Sequence, residues 1–241
     1  MKLIIFTSRT KHHHYFVQKI FEKFDIEQII YEKRCLVVPY ATGPFFEREQ
    51  DDYEERFFDE AIGGCQRVFP DRLEKRSIDI HSVNQKGMRE YLLAHEPDLI
   101  WVYGVGRIHP NIIGVPKWGM VNLHGGISQE YRGLDSTLWA LFNKDFHNLG
   151  LTVHYVAQEL DTGDILMQKK MGVLKSDEIF HYRFRMAMLA TETSLELLRE
   201  FEKSGGQLPA KPQVSGKYYS LMPLEKKWVA YENLKQYKNL L

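Results

Sequence analysis

The chain has 241 residues, 44% of them hydrophobic and 27% charged, enough for one large domain and too apolar for wholesale disorder. Lys plus Arg and Asp plus Glu each number 32, so the formal net charge is zero, without the basic surplus of a dedicated nucleic-acid binder. No run approaches the ~18 apolar residues of a membrane span, and the two cysteines, Cys35 and Cys65, make neither a metal spacing nor a disulfide framework. These features predict a reduced, soluble, cytoplasmic chain that spans no membrane.

Lys2 to Phe6 is a short apolar run of the kind buried on both faces of a parallel sheet. A helix is predicted from about His14 to Phe24, then a β-rich stretch through Ile26, Ile29 and Ile30 to Leu36-Val37-Val38. Between Phe45 and Ile62 the apolar residues Phe46, Tyr53, Phe57, Phe58 and Ile62 recur at helical spacing, with the acids read as a solvated face and Gly63-Gly64 as the stop. Asn84 is placed to cap a helix carrying Met88, Tyr91 and Leu92. Leu99 to Tyr103 is the most strand-like run, followed by the turn Gly104-Val105-Gly106. A strand from Met120 to His124 ends at Gly125-Gly126, and a short helix holds Leu134, Leu138, Leu141 and Phe142. Leu151 to Val156 alternates as a strand, and a long helix runs from about Ser176 to Phe201. This alternation predicts an α/β fold, a mainly parallel Rossmann-like sheet flanked by helices. Residues 1–204 form the predicted main domain, and 205–241, with Pro209, Pro212 and Pro223 around Lys217-Tyr218-Tyr219, a short extension or β-hairpin.

Ligands of open α/β sheets bind beyond the carboxyl ends of the strands. Asn122 and His124 lie two apart at such an end, so both side chains leave one face, beside glycines that let a ligand approach. An amide donor there can bond a developing oxyanion while the imidazole moves a proton. Asp161, in Leu160-Asp161-Thr162-Gly163-Asp164, could charge-stabilise such an imidazole; the motif alone favours an ordinary Asp turn.

The ordered set Gly104-Val105-Gly106-Arg107-Ile108, Asn122-Leu123-His124-Gly125-Gly126, Tyr131-Arg132-Gly133 and Leu160-Asp161-Thr162-Gly163-Asp164-Ile165 resembles the folate-dependent formyltransferases, closely over about residues 84–170. The resemblance implies a formyl donor, N10-formyltetrahydrofolate, an acceptor amine and no metal. It implies Asn122, His124 and Asp161 as the catalytic trio, and main-chain binding of the pterin by Gly106, Arg107 and Ile108 and by the loop Val156, Ala157 to Leu160. Arg9, His12, Tyr131 and Arg132 are candidate acceptor contacts. Glycinamide ribonucleotide transformylases of this family carry a Gly-rich loop after the first strand, whereas Thr7-Ser8-Arg9-Thr10-Lys11 has no glycine. Only 36 residues follow residue 205, fewer than the C-terminal domain of methionyl-tRNA formyltransferases. By elimination the chain is most like the sugar-nucleotide N-formyltransferases, with a dTDP-linked amino-dideoxysugar as acceptor, a place in lipopolysaccharide or O-antigen biosynthesis, and a homodimer through the C-terminal segment.

Rival readings are a formyltetrahydrofolate hydrolase, a transferase for another amine such as glycinamide ribonucleotide, and a module that binds without catalysis. A nicotinamide dehydrogenase is disfavoured, because His109 stands where the Gly104-x-Gly106 motif needs Gly or Ala. His12-His13-His14 reads as a solvated helix start rather than a metal site, since adjacent side chains diverge; one of the three could line the acceptor pocket. His147, His154 and His181 read as structural, and Met186 and Met188 as core filler.

Overall fold

The computed structural model describes residues 1–33, 36–61, 71–214 and 216–241. The first half runs β1 (Leu3–Thr7), α1 (Lys11–Phe21), β2 (Ile26–Glu32), α2 (Glu47–Ala61), α3 (Asp71–Glu74), β3 (Ser77–Ile80), α4 (Met88–His95) and β4 (Leu99–Val102). Then come α5 (Pro110–Ile113), β5 (Met120–His124), β6 (Tyr131–Gly133), α6 (Ser136–Phe142), β7 (Gly150–Tyr155) and β8 (Ile165–Lys170). The chain closes with α7 (Tyr182–Ser204), β9 (Lys217–Tyr219) and α8 (Leu224–Lys238).

Seven strands form one sheet in the order β3-β2-β1-β4-β5-β7-β8. The first five are parallel, while β7 and β8 add an antiparallel edge. Side chains of β1 alternate between two apolar layers. Leu3 and Ile5 pack with Phe16, Ile20 and Phe201, and Ile4 and Phe6 with Met88, Leu92 and Ile112. The expected α/β sheet flanked by helices is therefore present. Strand order reverses between β1 and β4, which leaves a crevice at their carboxyl ends.

Several local expectations change. Helix α1 starts at Lys11 and takes in all three adjacent histidines, with His12 and His13 buried rather than solvated. Leu36 to Val38 is not a strand, and Leu36 and Val37 are exposed. The acidic helix is α2, yet Gln50 and Glu54 on it are buried. Gly63-Gly64, Cys35 and Cys65 lie outside the described residues. Asn84 caps no helix, because α4 begins only after Gly87. Instead its amide donates to the Arg107 carbonyl at 2.7 Å and accepts from the His109 N–H at 2.8 Å, pinning the turn after β4. The long helix α7 begins at Tyr182, after one 3-10 turn, and ends at left-handed Gly205.

Among the described residues of 205–241 no hairpin forms. Strand β9 pairs parallel with β6, and the fifteen-residue helix α8 packs on α6. Asn233 Nδ2 donates to the Leu141 and Phe142 carbonyls at 3.1 and 2.8 Å, satisfying the open end of α6. Among the described residues no helix is long and apolar enough to cross a membrane.

Candidate active site

A cleft of about 470 Å³ opens at the carboxyl ends of the central strands. One wall is made of loops, Val102 to Ile108 after β4 and Val156 to Leu160 after β7. The other is helical, with His12 and His13 of α1, Gln50 of α2, Arg183 of α7 and Lys227 of α8. Asn122, His124 and Asp161 lie between them.

The antiparallel register of β5 and β7 pairs Asn122 directly with His154, a juxtaposition that brings Cβ atoms within side-chain reach. His154 Nδ1 donates to the Tyr155 carbonyl at 2.7 Å, so its Nε2 is the acceptor for Asn122 Nδ2 at 3.1 Å. The second Asn122 amide hydrogen goes to Asp161 Oδ1 at 3.2 Å. His124 Nε2 donates to the Tyr131 carbonyl at 2.6 Å, which leaves Nδ1 facing Asp161 Oδ2 at 3.3 Å. The three expected side chains thus meet, with His154 as a fourth member that the sequence reading took for structural. Its cross-strand position opposite Asn122 could have been found only from the strand order.

Asp161 sits in the left-handed region at φ 54°, which aims its carboxylate back at β5. The Gly133 N–H donates to Oδ2 at 2.9 Å. Burial alone would raise the carboxyl pKa, but the His124 imidazole in its charged form and the Gly133 donor outweigh it, holding Asp161 well below the usual carboxylate range. Removing the imidazole that orients Asn122 is therefore testable. His154→Ala is expected to lower kcat about 10²-fold with KM little changed, and His154→Gln, which restores an acceptor, to recover part of it. Unchanged kcat in His154→Ala would remove His154 from the site's geometry.

Tyr-Arg-Gly serves the site through its main chain. The Tyr131 carbonyl and Gly133 N–H are the groups that touch His124 and Asp161. The Tyr131 side chain is buried and donates to Asp145 at 3.1 Å, away from the cleft. Arg132 braces loops, Nε to the Gly216 carbonyl at 2.6 Å and Nη1 to that of Leu160 at 3.3 Å. Neither side chain lines the cleft, contrary to expectation. Arg9 is also elsewhere, ion-paired to Asp79 and Glu74 at 2.7 and 3.0 Å over the Tyr31 ring. His12 does line the cleft, and His13 joins it.

All six main-chain positions expected to meet a ring, Gly106, Arg107, Ile108, Val156, Ala157 and Leu160, line the loop wall. The Gly106 N–H, however, is taken by buried Glu32 Oε2 at 2.6 Å, so it is a clamp on the turn rather than a free donor. Glu32 Oε1 accepts from Val83 N–H at 2.9 Å, and Thr7 Oγ1 donates to the Tyr103 carbonyl at 2.8 Å. Gly104, at φ 82°, lies so close to His13 that an added Cβ would sit 2.4 Å from its Nε2. Such a Cβ would also be strained by the backbone itself.

Burial pushes the His13 imidazole down to about 3, with His14 and Arg183 adding to the effect, and pushes His12 well below its ordinary range. An unfolded histidine takes up its proton near pH ~6.5. The stability contributed by these neutral rings is therefore full above that pH and falls on acidification, by about 1.4 kcal/mol per pH unit for each. Denaturant midpoints measured at pH 7 and 5 should fall steeply in the wild type and less in His13→Gln. An identical pH slope in both proteins would contradict neutral burial of His13.

Residues 66–198 match the model of a family described as formyl transferase, a little over half of the chain and inclusive of Asn122, His124 and Asp161. A methionyl-tRNA formyltransferase of Koribacter versatilis is 34% identical over 145 residues, 60% of this chain and 45% of that protein. The chain spans about half the length of the curated relatives it matches. A sugar N-formyltransferase from a Shewanella species superposes with TM-score 0.62 at 14% identity, over 97% of this chain and 88% of the other. HypX from Aquifex aeolicus, solved with tetrahydrofolic acid, gives 0.59 at 15% identity over 97% of this chain and 34% of that one. With the family model spanning the cleft loops and the whole Asn122–His124–Asp161 cluster, this chain belongs to the formyl transferase family.

Proposed function

We propose that this chain moves a formyl group from N10-formyltetrahydrofolate to the amine of a nucleotide-linked amino-dideoxysugar. The observation that carries the transfer is the convergence of Asn122, His124 and Asp161 in one cleft of about 470 Å³. The loop wall fits the donor's flat ring, since Val102, Ile108 and Val156 offer apolar surface beside main chain at Arg107, Ala157 and Leu160. The sugar acceptor is supported by the missing glycines after β1 and by the Shewanella enzyme, whose fold matches nearly the whole chain.

The donor brings an electrophilic formyl carbon; the remaining work falls to side chains. Attack by a neutral amine forms a C–N bond and moves charge onto the formyl oxygen, where an amide hydrogen of Asn122 is the donor. Both hydrogens have protein acceptors at rest, so one is traded from Asp161 or His154 as that charge develops. The attacking nitrogen must lose a proton, and the departing nitrogen of the donor must gain one as its bond to carbon breaks. His124 takes the amine's proton at Nδ1, its Nε2 remaining on the Tyr131 carbonyl, Asp161 steadies the imidazolium 3.3 Å away, and the same proton then passes to the departing nitrogen. Asn122→Ala is expected to cost on the order of 10²–10³ in kcat, measured as acceptor-dependent release of tetrahydrofolate.

The deciding experiment supplies N10-formyltetrahydrofolate with a panel of dTDP-linked amino sugars and follows tetrahydrofolate and the formamide product. Formate released without acceptor would replace transfer by hydrolysis, and no turnover across the panel would remove the sugar nucleotide. The reading also carries a homodimer through the C-terminal segment, where Trp228 and Val229 stay exposed; light scattering tests it.

A further inference from the structure

The helical wall of the cleft contains cations, yet each is already neutralised. Arg183 presents Nε and Nη2 to the two oxygens of buried Glu54, at 2.6 and 2.9 Å, and Nη2 again to Asp51 at 2.7 Å. With its amide oxygen turned toward the guanidinium, Gln50 accepts from Nη1 at 2.6 Å. Nε and both Nη2 hydrogens are therefore committed to carboxylates, which leave the guanidinium no unbalanced positive charge, and Nη1 has Gln50 for one of its two hydrogens. Lys227 Nζ is bonded to Glu47 and lies over the Phe46 ring. Asp135 lines the same cleft, its Oδ2 accepting from the Met222 N–H at 2.8 Å.

His12 and His13 complete this wall. Their rings lie 4.1 Å apart, and Thr10 Oγ1 bonds Nδ1 of each, at 3.1 and 2.7 Å. Burial keeps both rings uncharged, so they offer hydrogen-bond donors and acceptors but no positive charge. Placing a phosphoryl or carboxylate group here would desolvate an anion beside Glu47 and Asp135 with no cation free to meet it among the described residues. A hydroxyl-bearing ring meets no such penalty, because neutral imidazoles match hydroxyls in both directions.

We propose that the helical wall is the acceptor subsite and takes an uncharged, hydroxylated ring bearing the amine, while excluding phosphoryl and carboxylate groups from that end. This deepens the transfer reading above and rests on it for the word acceptor. It also orients the substrate. Any phosphate the acceptor carries lies away from the helical wall.

The test is calorimetric titration of the whole protein with inorganic pyrophosphate, alone and in competition with the methyl glycoside of a 4-amino-4,6-dideoxyhexose. Wild-type protein is expected to bind the glycoside and to show no pyrophosphate binding that the glycoside displaces. Glu54→Gln should free the Arg183 fork and bind pyrophosphate at least about tenfold more tightly than wild type, in competition with the glycoside. Asp51→Asn, at an exposed position, gives the same direction of change should Glu54→Gln not fold. Pyrophosphate binding by wild type that Arg183→Gln or Lys227→Gln weakens about tenfold would overturn the proposal. The titration needs no turnover, so failure of this inference and failure of formyl transfer register in different measurements.

Discussion

Exchanging Asp161 for Asn is expected to lower kcat by roughly 10³-fold while leaving the fold in place. The carboxylate accepts from the Gly133 N–H and the Asn122 amide, and lies 3.3 Å from Nδ1 of His124. An Asn of the same shape keeps one acceptor oxygen but turns an NH2 toward one of those donors. It also leaves the imidazolium of His124 with no negative charge beside it. Because the folded-state pKa of Asp161 is depressed, its contribution to stability is present above pH ~4 and is lost only as pH falls through the lowered value. Near neutrality it stays ionised, so titration of wild-type activity there belongs to other groups. Steady-state kinetics with a thermal melt check the prediction. Wild-type kcat in a folded Asp161→Asn protein would remove the carboxylate from the mechanism.

The sheet was legible because its central strands carry their own signature. Leu3 to Phe6 and Leu99–Val102 are continuous apolar runs, and all of their residues are buried. Strand β3 was not legible, since Ser77-Ile78-Asp79-Ile80 is four residues long at an edge and half polar. Pattern failed differently at Leu36-Val37-Val38, where β-forming residues pair with no strand among the described residues. In the C-terminal segment, prolines and paired tyrosines suggested extended chain. The helix α8 that follows is buried along Lys227, Ala230, Asn233 and Leu234, a face too polar to stand out before α6 is known to cover it.

The site divides along the same line. Asn122 and His124 could be read from two-residue spacing at a strand end, and Asp161 from its motif. What the motif residues do was harder to read. Tyr131 and Gly133 act through backbone atoms, which no side-chain pattern reports. His154 enters through an antiparallel pairing that an expected parallel sheet would not supply. His12, His13 and Glu54 are buried by contacts from α1, α2 and α7, elements that lie far apart in the chain. A charged helix stretch therefore looked solvated until Arg183 arrived to neutralise it.

The carboxylate of Asp161 also depends on a residue with no side chain. Gly163 follows it by two positions, and a Cβ added there would lie 1.8 Å from the Tyr155 carbonyl oxygen and 2.7 Å from its carbon. Both atoms are backbone of β7, so no rotamer change relieves the clash, and the loop must move. That loop is tied down on the other side. The Tyr155 N–H donates to the Asp164 carbonyl at 2.9 Å, and Gln213 Nε2 reaches the carbonyls of Asp161 and Gly163. Gly163→Ala is therefore expected to cost about 1–3 kcal/mol in stability. It should also cost at least ~10² in kcat, since a shift near 1 Å displaces Asp161 from two imidazoles and an amide together. Gly172→Ala is the control, because an added Cβ there meets nothing within 4 Å, and it should stay within about 0.5 kcal/mol of wild type. Should Gly163→Ala match that control in melting temperature and kcat, close approach of the two loops would not be what positions the carboxylate.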